Sequence, residues 1–173
     1  MPNKTQMAFA RQVYAAAVEA NTEIDPAFVT AQAMLETGWG SKVIGQANLF
    51  GITKGSQWDG PIVMVKTHEY LKTPNQKFKA PDRILSVCKV KGKNLWYYTV
   101  ERAFKDFPTI GECLKEHERL FQKSGYKDAW PFRKDAYQFA RKICDGVGCK
   151  YATDPAYLTT ITSIIKTVKS KCR

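Results

Sequence analysis

The sequence predicts an α+β fold, predominantly helical, with one small antiparallel β lobe. Three observations carry that expectation. Apolar residues recur at helical spacing before residue 37 and again after residue 108. Between about 61 and 100 the pattern changes to β-branched alternation. The 173 residues hold no internal repeat and no low-complexity tract, and a composition of 44% hydrophobic and 25% charged residues suits a folded chain. The simplest organisation is one domain over 1–173, with the β-rich stretch as an insertion.

The first helix spans about Thr5 to Ala20, places Phe9, Val13, Ala16 and Ala20 on one face, and stops at Asn21. The second opens with Asp25 as N-cap and Pro26 at the first helical position, where the missing N–H has no partner to lose. It ends near Thr37, with Gly38 suited to the left-handed cap. All ten residues from Pro26 to Leu35 are uncharged, the pattern of a central buried helix. The β lobe follows as "PIVMVKTHEYL", "ILSVCKV" and "NLWYYTV", the last two separated by "KGK". Three helices finish the chain. One starts near Pro108 and aligns Ile110, Cys113, Leu114, His117 and Phe121. Another starts near Pro131, with Phe132, Ala136, Phe139 and Ile143. The last takes Asp154 as N-cap and Pro155 next, and aligns Leu158, Ile161, Ile165 and Val168.

Twenty-seven Lys and Arg against sixteen Asp and Glu give a net charge of +11. Such a field gathers polyanions: cell-wall polymer, nucleic acid, anionic lipid or an acidic protein. No apolar run approaches the roughly 18 residues of a membrane span, so membrane insertion is not expected. The N-terminal segment is amphipathic, carries Arg11 and Glu19, and lacks the uninterrupted apolar stretch of a signal peptide. Work outside the cytoplasm would therefore need another export route. Five cysteines stand at 88, 113, 144, 149 and 172. None has zinc-like spacing with His68 or His117, so no metal or other cofactor is expected. Cys144 and Cys149 flank "DGVG" and would close a small loop in an oxidising compartment.

Two carboxylates stand out. Glu36 ends the uncharged second helix, in line with Val29 and Ala33. There it is expected to lose hydration and face the negative helix end, both of which favour the protonated form that a general acid needs. The bland alternative is a glutamate that reaches solvent or pairs with Lys42. In "KTHEYL", alternation puts Thr67 and Glu69 on the face of Val63 and Val65, with His68 and Tyr70 on the other. Glu69 is either an exposed edge residue or the second carboxylate of a glycoside hydrolase, which activates water or stabilises the developing cation. "NLFGI" and "WDG" add aromatic and amide groups of the kind that stack on sugar rings and bond N-acetyl groups.

"AQAMLETGWG", "NLFGI", "WDG", "THEY", "AFKDFPT" and "YATDPAY" occur in this order at the spacing of glycoside hydrolase family 73, and the chain resembles that family over most of its length. The resemblance implies a lysozyme-like fold and hydrolysis of the β-1,4 bond between N-acetylglucosamine and N-acetylmuramic acid in peptidoglycan. Matched position by position, Glu36 is the acid and Glu69 the second carboxylate. Tyr151 stands near the scissile sugar. Asn48, Phe50, Trp39, Trp58 and Tyr157 form the substrate-binding set. The chain departs from the family's Phe-Arg-x-Tyr at Lys105 and Phe107, and lysine lacks the bidentate fork of arginine. The segment from Lys72 to Asn94 is longer than the resemblance requires, with two further strands and Cys88.

The expected partners are peptidoglycan glycan strands and an acidic immunity protein that blocks the cleft, with no nucleic acid. The expected setting is an antibacterial effector of type VI secretion, exported without a signal peptide into a target cell's periplasm. A lytic transglycosylase and a phage lysis or entry muramidase are the enzymatic alternatives. A basic wall- or nucleic-acid-binding module is the non-enzymatic one.

Overall fold

The computed structural model describes residues 2–145 and 156–172. Along the chain run α1 (Lys4–Glu19), α2 (Pro26–Glu36), β1 (Ile62–Leu71), β2 (Arg83–Lys89), β3 (Trp96–Lys105) and α3 (Ile110–Phe121). Two single 3-10 turns follow at Ser124–Tyr126 and Trp130–Phe132, then α4 (Ala136–Asp145) and α5 (Tyr157–Lys171). These form two compact units: Met1–Phe50 with Phe107–Arg173, and Gly51–Asp106. The mostly helical α+β class and the small antiparallel sheet are as the sequence predicts.

In the helical unit α2 is central and packs against α1, α4 and α5. Its start follows the local code: Asp25 accepts from the Ala27 N–H at 2.7 Å, with Pro26 in the first turn. Every residue from Ala27 to Met34 is buried. Phe28 meets Phe139 and Phe121 edge to face, at centroid distances of 4.9 and 6.2 Å. Such pairs add about 0.5–1.5 kcal/mol beyond the area they bury.

The face of α1 differs from the one read from the sequence. Ala10, Val13 and Ala17 enter the core, one position round from Phe9, Ala16 and Ala20. Those three, with Leu49 and the start of α3, line a separate hollow of about 790 Å³. On α3 the expected apolar face is present, and His117 lies in the core at 1% exposure. Phe50 stacks on its ring at 3.6 Å. Neither of its nitrogens has a partner among the described residues. Burial alone pushes its pKa from 6.5 down to about 3. Glu118, which the sequence did not flag, is also buried: its carboxylate accepts from the Glu23 and Ile24 N–H groups and meets Lys115 at 3.4 Å.

The helix expected from Pro131 begins later. Pro131 lies in a 3-10 turn, and Asp135 starts α4 by accepting from the Tyr137 and Gln138 N–H groups, both at 3.0 Å. Those bonds hold the Asp135 carboxyl below its ordinary range, with Gln138 the largest cause. The expected caps of α5, Asp154 and Pro155, lie outside the described residues, as do Cys149 and hence the proposed 144–149 loop. Cys113 is a buried thiol pushed up to about 12 by burial.

The second unit is built on a sheet of order β1-β3-β2, antiparallel throughout. β1 pairs with the whole of β3, Ile62 opposite Lys105 through Leu71 opposite Trp96. β2 pairs with the first part of β3 across a bulge between Ile84 and Ser86. Only one strand, β2, falls between Lys72 and Asn94 among the described residues, where two were expected; the other is the start of β3 itself. The buried residues of the unit are on β3, including Tyr98, Val100, Ala103 and Phe104.

Candidate active site

The "LETGWG" segment is a helix end closed by its own backbone. Gly38 takes φ +56° just past the C-cap Thr37. The Trp39 N–H then donates to the Met34 carbonyl at 2.8 Å and the Gly38 N–H to the Leu35 carbonyl at 3.4 Å, which satisfies the last carbonyls of α2. The Thr37 hydroxyl donates to the Ala33 carbonyl at 2.6 Å and accepts from the Gly40 N–H at 2.8 Å. Gly40 itself has φ +87°, and a Cβ there would stand 2.5 Å from the Phe9 ring. Two glycines and one threonine therefore fix the direction in which the chain leaves α2, and with it the stations of Glu36 and Trp39.

Glu36 is exposed. The dehydration expected for it is not met in the free protein: Val29 and Ala33, on the same side of α2, are buried, but the helix emerges from the core within its last turn. A hollow of about 540 Å³, which Glu36 does not line, is walled by its neighbours Met34, Leu35, Gly38 and Trp39 on one side and by Thr159, Thr160, Ser163 and Ile164 of α5 on the other. Tyr157, 7% exposed, accepts from Gln32 Nε2 at 3.3 Å. Burial raises the Tyr157 phenol well above its ordinary pKa, with the Cys144 thiol and then the Glu36 carboxylate pushing the same way. Glu36, Tyr157 and Gln32 thus share one neighbourhood. Gln32 was missed from the sequence, although it stands four residues before Glu36 on the same helix face. Asn48 is buried at 1%, where its backbone and that of Ile44 exchange hydrogen bonds of 3.0 and 3.2 Å and close the 44–48 loop. Phe50 is half-buried on His117. Tyr151 lies outside the described residues.

In the sheet unit the alternation predicted for β1 is observed. On one face His68 stacks on Tyr97 and Tyr70 meets it tilted, each at 5.1 Å. Glu69 faces the other way and is half-buried. Its Oε1 accepts from Arg102 Nη1 at 2.6 Å. Arg102 Nε donates to Asp82 Oδ2 at 3.2 Å, and Asp82 Oδ1 accepts from the Ala103 N–H at 2.8 Å. Asp82 thus locks the guanidinium that holds Glu69. Glu69 Oε2 has no protein partner among the described residues and is left to accept from solvent or substrate. Arg102 and Asp82 were not found by sequence reading. The signal for Arg102 was its parity with Tyr98, the residue directly opposite Glu69, which is usable only once the register is known. Trp58 donates to the Pro61 carbonyl at 2.9 Å and carries Lys105 over its ring at 4.6 Å, so the lysine at the departure from Phe-Arg-x-Tyr makes a cation–π contact. The neighbouring Phe107 is core.

The family model described as glucosaminidase, mannosyl-glycoprotein endo-beta-N-acetylglucosaminidase, matches residues 12–170. The peptidoglycan hydrolase FlgJ of Escherichia coli strain K12 is 28% identical over 148 residues, which cover 82% of this chain and 39% of that protein. The probable N-acetylmuramidase of Lactococcus lactis subsp. cremoris is 29% identical over 149 residues, covering 81% of this chain and 28% of the other. The chain therefore spans well under half the length of these curated relatives. A C-terminally truncated glycoside hydrolase domain from Salmonella typhimurium FlgJ superposes with a TM-score of 0.68 at 22% identity, covering 95% of this chain and 98% of that one, and shows a shared fold.

Proposed function

We propose, since this chain belongs to the glucosaminidase family of glycoside hydrolases, that it hydrolyses the glycan of peptidoglycan at the β-1,4 bond between N-acetylglucosamine and N-acetylmuramic acid. The observation that carries this reading is that each of two carboxylates stands on a stiffened element of its own unit: Glu36 at a closed helix end, and Glu69 gripped by Arg102 and Asp82. In the proposed reaction Glu36 gives its proton to the glycosidic oxygen as the bond to the anomeric carbon breaks. Glu69, with Oε1 engaged, uses Oε2 to take a proton from the attacking water or to stabilise the oxocarbenium-like carbon. Because Glu36 is exposed in the free protein, the bound sugar must be what takes water away from it. Trp39, near Glu36, and Trp58, in the sheet unit, supply aromatic faces for pyranose rings, whereas Tyr157 is too buried to stack on one.

The net charge of +11 supports the proposed setting, an antibacterial effector acting in a target cell's periplasm. It would hold the protein to an anionic wall and favour an acidic immunity protein as its inhibitor. The test of the reaction is mass spectrometry of digested peptidoglycan. New reducing-end N-acetylglucosamine supports the reading. Reducing-end N-acetylmuramic acid would reassign the bond, and 1,6-anhydro-muramyl ends would make the protein a lytic transglycosylase.

A further inference from the structure

The hollow beside Glu69 in the sheet unit has a volume of about 690 Å³ and a charge pattern the reaction does not explain. Four cations line it, Lys54, Lys77, Lys79 and Arg102, against two carboxylates, Glu69 and Asp82. Both carboxylates are engaged by Arg102. The three lysines make no ion pair among the described residues, so the hollow has two positive charges in excess.

These lysines stand on backbone that the fold holds in place. On one wall the Lys54 N–H donates to the Ala103 carbonyl at 2.9 Å, while the Ala103 N–H binds Asp82 from the other side. On the opposite wall the 73–82 loop is tied at both ends. Tyr98, opposite Glu69 in the sheet, donates to the Thr73 carbonyl at 2.7 Å and accepts from the Gln76 N–H at 3.1 Å. At the far end, Asp82 grips Arg102, and its N–H donates to the Lys79 carbonyl at 3.0 Å. Between the ties Phe78 lies against Arg102 at 5.9 Å and Tyr98 at 6.2 Å. Lys77 and Lys79 flank Phe78 and are thereby presented at the hollow.

We propose that this hollow is a subsite for the carboxylate-bearing peptide that hangs from the glycan, with Lys54, Lys77 and Lys79 as its cationic contacts. The inference rests on the peptidoglycan reading above. Every N-acetylmuramic acid next to a scissile bond carries a lactyl-linked peptide whose side chains and terminus bear carboxylates. A cluster of lysines without ion pairs among the described residues, Lys54 half-buried and Lys77 and Lys79 exposed, has the sign, the room and the position beside the second carboxylate to take one, and Arg102 is kept for Glu69 by Asp82. The extended segment after Lys72 then acquires a role, that of reading whether the glycan still carries its peptides.

The experiment compares KM of the full chain on two glycans from one wall preparation freed of phosphate polymers, one with its peptides and one stripped of them by an amidase. The peptide-bearing strand should show a KM about three- to tenfold lower at low salt, a difference that shrinks as salt rises. In Lys77→Gln/Lys79→Gln the ratio should fall to near one, while Lys77→Arg/Lys79→Arg, which keeps the charge, should retain it. Equal KM on both glycans for the wild type, or an undiminished ratio in the glutamine variant, overturns the subsite and leaves the hydrolase reading standing. A preference that appears only when phosphate polymers are put back overturns it too. Failure to cut either glycan overturns the hydrolase reading itself.

Discussion

In the helical unit eight consecutive residues of α2, Ala27 to Met34, are buried, whereas in the sheet unit six of the seven residues of β2 are exposed. The first unit is held by apolar area and edge-to-face aromatics around Phe28. The second is held by a hydrogen-bonded ladder, a thin row of buried β3 residues, and the Asp82–Arg102–Glu69 chain of ion pairs. The two candidate catalytic carboxylates differ accordingly. Glu36 gets its backbone position from the closed end of a helix rooted in the core. Glu69 sits on a half-exposed strand, where a long side chain keeps several rotamers unless something grips it. Position is set by packing in one unit and by charge pairing in the other.

The largest effect should come from the chemistry alone. Glu36→Gln keeps the shape of the side chain and loses the acidic proton, so release of soluble muropeptides should fall about 10²- to 10⁴-fold. Its melting temperature should not move, because Glu36 is exposed. A wild-type rate in this variant would take Glu36 out of the reaction.

Next comes a direct test of the packing contrast. Phe139 is fully buried, 4.9 Å from Phe28 and 5.2 Å from Phe121. Phe139→Ala should lower the unfolding free energy by about 3–5 kcal/mol. Ile84→Ala, at a β2 position that is 41% exposed, should change it by no more than about 0.5 kcal/mol. Similar losses in denaturant titrations of the two would remove the distinction between the units.

The core of the helical unit should also be the acid-sensitive one. His117 titrates near 6.5 when unfolded and at about 3 when buried, so the unfolded chain binds the extra proton first. Its neutral form supports the fold fully above pH 6.5, and that support drains away as pH falls towards 3. The loss at pH 4 should be on the order of 3 kcal/mol. His117→Phe should flatten the stability profile between pH 6.5 and about 5 and leave the loss from carboxylate protonation at lower pH. An unchanged profile would move the acid sensitivity elsewhere.

The smallest predicted effect probes the charge-held side. Arg102→Gln should lower kcat about ten- to hundredfold through misplacement of Glu69, with KM little changed. Arg102→Lys should recover part of the rate, since a point charge reaches Glu69 but cannot bridge to Asp82 as a fork does. In a double variant with Glu69→Gln the arginine change should add nothing. Multiplying effects would mean that Arg102 acts on something other than Glu69.

Much of the frame is written locally. Asp25 and Pro26 start α2, Thr37 and Gly38 end it, and the alternation of β1 separates Glu69 from His68, because caps, left-handed residues and side-chain parity depend on a few adjacent positions. The ordered motifs also identify the family. What the sequence left open was decided by segments far apart in the chain. Whether Glu36 keeps its water depended on where α2 leaves the core, and the uncharged run before it suggested burial when the helix in fact surfaces. The start of α4 passed from Pro131 to Asp135 because the carboxylate caps two N–H groups while the proline turn does not propagate. Arg102 reaches Glu69 from 33 residues away, and Asp82 reaches Arg102 from 20. Such pairings depend on strand register, sheet twist and the reach of long side chains, none of which is encoded at any one position, so the grip on the second carboxylate exists only in the folded chain.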